Sequence, residues 1–362
     1  MSFHKYFSAL CLASVMAGGC GVAPSSGDQD QVHKALRGGG WSDTNYNQLF
    51  GATMSNQTVT GLYLSGNQWY VSTSSSLTYA PVQGITYNGQ SISAQSLTTS
   101  QGAFQVVGAD SEDAAATLVL TVGGSLPGTL TITTESVDAS GTFTRYAAEW
   151  ISGGDDADGG AAPVSLCPRS VLDADGGVQT VSESLIPIGG ARWSLDGSRT
   201  SDANAITLSC SHDAIGGCVT WGYGPWGTRT DEVTGKSVAM SSVHQACTRM
   251  KRDDICGTGS PVTTGFNPAF GSTTIHVRDR VGIHSDTNQT YATMEAFWDE
   301  DGASCFNQSE YRSTDPMLLQ RLAINIALCP NRAVACTANH SRVLLSARPC
   351  TATNASGDCV AN

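Results

Sequence analysis

Uneven placement of cysteine constrains this chain more than any other feature. Twelve cysteines occur in its 362 residues. Cys11 and Cys20 stand in the first twenty positions. The others are Cys167, Cys210, Cys218, Cys247, Cys256, Cys305, Cys329, Cys336, Cys350 and Cys359, and none falls between residues 21 and 166. An even set in an exported chain reads as a disulfide framework, whose pairing a sequence does not specify. The competing chemistry is zinc. A zinc site calls for close Cys or His pairs, yet the chain has no C-x-x-C and a single half-motif, His244-x-x-Cys247. Disulfides are therefore expected at all ten positions, with no metal and no cofactor.

The N-terminus reads as an export signal. Lys5 gives a short positive region, and the apolar run from Phe7 to Ala17 is too short to span a bilayer. It ends in Ala17-Gly18-Gly19-Cys20, which resembles the lipobox of bacterial lipoproteins. That resemblance implies a signal peptide over 1–19 and a lipid on Cys20; an ordinary secretory signal is the alternative. Gly21 stands where an inner-membrane retention signal would place Asp, so the outer membrane or cell surface is the expected location. Residues 20–40 are small and polar and end in Gly38-Gly39-Gly40, the composition of a flexible tether.

Net charge is −12 and the pI about 4.8. Nucleic acid is not an expected partner, because gripping a phosphate backbone needs a clustered Lys/Arg surface. The one dense basic stretch is Arg249, Lys251 and Arg252, followed at once by Asp253 and Asp254. It reads as a solvated helix face.

Periodicity divides the rest. Residues 41–152 read as an all-β domain, a small sandwich or barrel. Gly61–Leu64 and Gln68–Val71 are short apolar runs around a Ser-Gly-Asn turn. Asn88-Gly89 is a tight-turn pair, and Thr129–Thr133 alternates strictly. An Asp/Gly-rich linker follows at 153–164. Its Asp156-Ala157-Asp158-Gly159-Gly160 returns as Asp173-Ala174-Asp175-Gly176-Gly177, which reads as turns rather than calcium loops, since the distal ligands of an EF-hand are missing. Residues 165–362 form a cysteine-rich mixed domain. Ser242 is placed to cap a helix from Val243 to Asp253, with Gly257 suited to its left-handed end. Asp315-Pro316 opens a second helix through Leu322 and Ile326 to Cys329. Thr274–Val277 and Met294–Trp298 read as strands, and the tail after 329 shows little periodicity. The expected fold class is thus α+β, mostly β: a small all-β domain followed by a disulfide-rich mixed domain with two helices.

Within the second half, several segments recur in fixed order. They are Gly217–Trp226, His244–Met250, Asp253-Asp254-Ile255-Cys256-Gly257, Val277–Ile283, Glu295–Trp298 and Gly302–Cys305. Together, over residues 205–312, they resemble the ADYC domain, a family of exported bacterial proteins named for a four-residue motif. Of that motif only Asp254 and Cys256 keep the family letters. The resemblance implies an exported, often lipid-anchored domain and carries over no catalytic residue.

The expected function is that of a lipid-anchored surface protein acting as a binding or structural module. Its membrane contact is the anchor, and its ligand a protein or carbohydrate. Trp221, Tyr223 and Trp226, spaced by Gly and Pro, are the candidate aromatic contact patch; burial in the core is the competing reading. The alternative function is a secreted hydrolase. No G-x-S-x-G or H-E-x-x-H occurs, which leaves His244, Asp254 and Asp279, with His276 and Glu295, as general acid–base candidates if they converge. Ten residues along a straight helix separate His244 from Asp254 by about 15 Å, which argues against direct contact. Thiol chemistry at Cys256 is disfavoured, because a disulfide sulfur is not a thiolate.

Overall fold

The computed structural model describes residues 49–74, 80–108, 116–138, 142–153, 161–172, 175, 177–262, 275–284, 295–307, 316–337 and 345–349. The signal peptide, the tether, Cys20, residues 156–160, most of residues 173–177, Cys350 and Cys359 lie outside them.

The first half is built on alternation. In β2 (Gln57–Ser65), β3 (Gln68–Thr73), β4 (Ala80–Tyr87), β8 (Thr117–Val122), β9 (Gly128–Val137) and β10 (Thr144–Ser152), buried residues recur at nearly every second position. Two later strands join them, β14 (Leu185–Trp193) and β15 (Arg199–Cys210). Each of these eight pairs antiparallel with the next in chain order, and β15 pairs back onto β2 through Ala205↔Tyr63, Ile206↔Leu62 and Thr207↔Gly61. The result is a closed up-and-down barrel. Closure removes the exposed strand edges that an open sheet would present. Eight strands leave an interior just wide enough for side chains to fill, and Leu62, Trp69, Val71, Leu120, Leu130, Ile132 and Trp150 fill it.

The short strands are accessories. β1 (Thr53–Met54) leads into β2, β5 (Gln90–Ser91) folds back on β4 through Asn88-Gly89, and β11 (Val164–Ser165) lies against β10. Hairpins β6 (Leu97–Ser100)–β7 (Ala103–Val106) and β12 (Pro168–Leu172)–β13 (Val178–Ser182) stand outside the main sheet. The first closes a weak seam. β10 and β14 share one residue pair, Tyr146↔Leu185, and there Phe104 donates its backbone N–H to the Tyr146 hydroxyl at 2.9 Å.

The barrel therefore takes in strands on both sides of the Asp/Gly-rich stretch at 153–164. Two-sided burial is the reason. Leu185 of β14 faces the barrel core, while Ile186 and Ile188 face a second core with Leu49, Phe50, Ile215 and Val219. One strand serves both halves.

On that outer face sit α1 (Ala214–Thr220) and α2 (Met240–Arg252). Beyond them lie a two-stranded sheet of β16 (Thr228–Thr230) and β17 (Ser237–Ala239), then four strands in the order β18 (Ile275–Asp279), β21 (Leu345–Pro349), β19 (Ala296–Asp299), β20 (Gly302–Phe306), and α3 (Pro316–Leu328). α2 packs between α1 and the four-stranded sheet, and Val243, Ala246 and Met250 share its core with Val277, Trp298 and Phe306.

Helix α3 opens at Pro316, as its Asp-Pro start predicts. α2 departs from expectation. It begins at Met240, ahead of Ser242, with no side-chain cap at Ala239. It ends on Asp253 in the left-handed conformation, φ 49°. Gly257 is left-handed too, but in the following turn. Helix α1 was not expected, since paired glycines disfavour helix. Packing overrides that preference: a Cβ on Gly216 would overlap the Cys210 carbonyl, and one on Gly217 the Lys251 ammonium. The tail is not structureless, as β21 is a central strand between β18 and β19.

Among the described residues four disulfides hold the second half: Cys167–Cys210, Cys218–Cys247, Cys256–Cys329 and Cys305–Cys336, with Cα separations of 5.2–5.9 Å. Cys218 lies on α1, so Cys218–Cys247 joins two helices. Replacing both of these cysteines by Ala is expected to lower the unfolding free energy by about 2–4 kcal/mol. Denaturant titration against the parent protein measures it.

Candidate functional site

The sequence expectation of a solvated basic face fails. Arg249, Lys251 and Arg252 are only 3%, 2% and 4% exposed. A helix covered by α1 on one side and by a sheet on another has no face left for solvent, so its cations must find partners inside. They sit at the helix C-terminus, where the backbone dipole favours positive charge.

Each cation reaches a different segment. The Arg249 guanidinium pairs with the Asp254 carboxylate and donates to the Asp196 carbonyl at 2.5 Å and the Glu300 carbonyl at 3.4 Å. Arg252 donates to the Gly259 carbonyl at 3.0 Å. The Lys251 ammonium donates to the carbonyls of Asp213 at 3.1 Å and His212 at 3.3 Å, and lies 5.0 Å from the Trp221 ring centroid. The bare Gly217 is what lets it pass α1.

Asp213 complements this end. It caps α1, its carboxylate accepting N–H bonds from Gly216 at 2.6 Å, Cys210 at 2.8 Å and Gly51 at 3.0 Å. Burial pushes its pKa up to about 7, against the pull of those three N–H groups and of Lys251. One side chain thus ties together the N-terminal approach, the end of β15 and the first helix.

The expected aromatic patch is not a surface. Tyr223 is fully buried and donates its hydroxyl to Asp279 at 2.8 Å. Trp221 is buried in the α2 core, and half-buried Trp226 packs against the other core, the one that contains Ile186 and Ile188. Short Gly-Pro spacing forces these rings in different directions.

His244, Asp254 and Asp279 do not converge. His244 is buried, its Nε2 3.0 Å from the Ile215 carbonyl oxygen and its ring beside Trp193. Burial pushes its pKa down to about 3. Asp254 also accepts the N–H groups of Thr258 at 3.1 Å and Gly259 at 3.0 Å. Asp279 accepts those of Val281, Ile283 and His284 at 2.6–3.2 Å, and burial pushes its pKa up. Each acid shapes its own turn. A further buried pair is Asp253 and Glu295. Burial raises Asp253 to about 7, and burial together with the Asp253 charge holds Glu295 well above the usual carboxylate range.

An open concavity among the described residues lies elsewhere. The β14–β15 hairpin leaves the barrel at an irregularity where Ile206 and Ser201 both stand opposite Ala191. Its tip docks on α2: the Trp193 indole donates to Gln245 Oε1 at 2.9 Å, and Gln245 donates to the Gly197 carbonyl at 2.7 Å. In the crook between tip and barrel wall is a cleft of about 390 Å³. Thr60, Tyr63, Ser72, Arg192, Thr200 and Thr207 are among its lining residues, more than half of which carry a hydroxyl. Sequence reading did not single them out, because they come from strands far apart in the chain. Asp213 did leave a signal: an Asp ahead of an apolar run is an N-cap.

Asp254→Ala leaves the Arg249 guanidinium buried without its carboxylate. A loss of about 3–5 kcal/mol is expected, read by chemical denaturation. Glu295→Gln tests the buried acids. A carboxyl whose folded pKa is raised contributes its stability below the unfolded value and loses it as pH rises. The variant should match wild type near pH 4, then gain on it by up to about 1.4 kcal/mol per pH unit. Urea titrations between pH 4 and 8 measure the divergence.

Comparison with known proteins bears on the same residues. The family model for the ADYC domain matches residues 111–312, more than half of the chain. The match begins well before residue 205, taking in β8–β10 of the barrel as well as the hairpin and α2. No curated protein and no solved structure matches the chain.

Proposed function

Given that the chain belongs to the ADYC domain family, we propose that it is an exported surface module, anchored by a lipid on Cys20, that works by binding a ligand. Its disulfides belong to an oxidising compartment. The lipobox-like Ala17-Gly18-Gly19-Cys20 supports the anchor, and the absence of Asp at position 21 supports the outer membrane or cell surface.

The observation that carries the binding reading is a division of labour. Arg249, Asp254 and Asp279 of the family-like segments, and Lys251 beside them, are buried and engaged in bonds that hold turns and helices. The cleft at the hairpin is open and lined with groups that can hydrogen-bond a visitor. Pockets with a few convergent polar groups are the usual small-ligand sites.

Intact mass of the mature protein from native membranes, with alkylation before and after reduction, tests the anchor and the thiol state. A lipid-sized addition at Cys20, with no alkylation until reduction, is the expected result. A chain cleaved near Cys20 without lipid would replace the anchor with a secretory signal. Alkylation of Cys256 before reduction would contradict the Cys256–Cys329 bridge and reopen thiol chemistry.

A further inference from the structure

We propose that the cleft between the barrel wall and the β14–β15 hairpin is a binding site for a neutral saccharide of one or two rings. The proposal rests on the binding reading above and deepens it.

Hydrogen-bonding capacity is the first ground. A hydroxyl offers one donor and two acceptor positions. Buried Thr207 uses its donor on the Ala191 carbonyl at 2.8 Å, which fixes its hydroxyl in the wall. Thr60 Oγ1 and Ser72 Oγ share a bond of 2.8 Å, with Ser72 also 3.1 Å from the Gly61 carbonyl. With their protons spent on Ser72, Gly61 and each other, these hydroxyls are left as acceptors. The hydroxyl of exposed Thr200 at the rim adds a donor as well as an acceptor, the mixed capacity that adjacent sugar hydroxyls match. A purely apolar ligand would strip water from these groups without replacing the bonds.

Charge is the second. Arg192 is the ionised side chain on the lining, and its Nε stands 3.4 Å from the Asp202 carboxylate, with the two side chains 56% and 16% exposed. The wall is close to neutral in a chain of net charge −12. An anionic ligand would meet one already paired cation against a repulsive field, so a neutral ligand fits better.

Topology is the third. An extended peptide usually docks by adding a strand to a free edge. Here β2 and β15 are paired to each other over Gly61–Tyr63 and Ala205–Thr207, so the barrel wall offers no free edge along those residues. Tyr63, half-buried on the wall, adds an aromatic body with a polar tip. The volume of about 390 Å³ sits at the lower end of small-ligand pockets, which sets the limit of one or two rings.

The test uses the full mature chain on an array of neutral and acidic glycans, followed by titration calorimetry with the best neutral mono- or disaccharide. Thr200 is exposed on the rim and pairs across the hairpin with Arg192, so Thr200→Trp fills the cleft from outside. Retention of neutral glycans by wild type, with at least about a tenfold loss of affinity in Thr200→Trp at unchanged melting temperature, is the expected result. Should that variant melt early, Arg192→Ala, at a half-exposed side chain, carries the same comparison. No neutral glycan retained, acidic glycans alone retained, or undiminished binding by the cleft variants would each overturn the saccharide site; the anchor would still stand or fall on the mass measurement. Cleavage of a glycan, abolished by Thr200→Trp, would support the site while overturning the non-catalytic reading.

Discussion

A helix whose cationic end is enclosed in protein sets the terms for the rest of this structure. Arg249, Lys251 and Arg252 lie within one turn of α2, and all are buried. Charge removed from water must be met by dipoles or opposite charge in close geometry, or the fold is lost. The chain meets it with carbonyls from four places: the loop before α1, the β14–β15 tip, the turn after α2 and the β19–β20 turn. Those pieces are distant in sequence. The need to satisfy three cations brings them together, and the Asp213 carboxylate completes the junction by tying Gly51, Cys210 and Gly216 to one point.

Seen from this junction, the motif that names the family is a helix stop with a staple. Asp253 turns the chain out of α2 in a left-handed conformation. Asp254 neutralises Arg249 and gathers the next N–H groups into a turn. Cys256 then bonds to Cys329, just beyond α3. The two residues that keep the family letters, Asp254 and Cys256, are the two whose side chains make these connections. The same hairpin that supplies carbonyls to the cations bends away from the barrel to reach them, and the cleft lies in that bend. Structure and candidate function share a cause: anchoring the hairpin on α2 leaves a crook on the barrel.

Legibility in the sequence followed the range of the interaction. The runs Gly61–Leu64, Gln68–Val71 and Thr129–Thr133, each inside an observed strand, could be read because alternation is local, and the Asp315-Pro316 helix start because its chemistry spans two residues. Helix α1 was hidden because Gly216 and Gly217 argue against helix locally and are required only by what passes beside them. The basic run misled for a related reason. Charge spacing describes the surface of an isolated helix, and α2 has almost none. The Trp221, Tyr223 and Trp226 rings looked like one patch in sequence, yet they enter two different cores.

By itself, then, the sequence determined the oxidising destination through its cysteines, the β-rich first half through alternation, and the family through ordered segments. These follow from composition or from residues close enough in the chain to be read together. Tertiary structure alone decided the barrel's closure, the pairing of the cysteines, the burial of the cations and the place of the cleft. Each of these depends on which distant segments meet. That is fixed by the joint satisfaction of apolar faces and buried charges over the whole chain, a condition no local window contains.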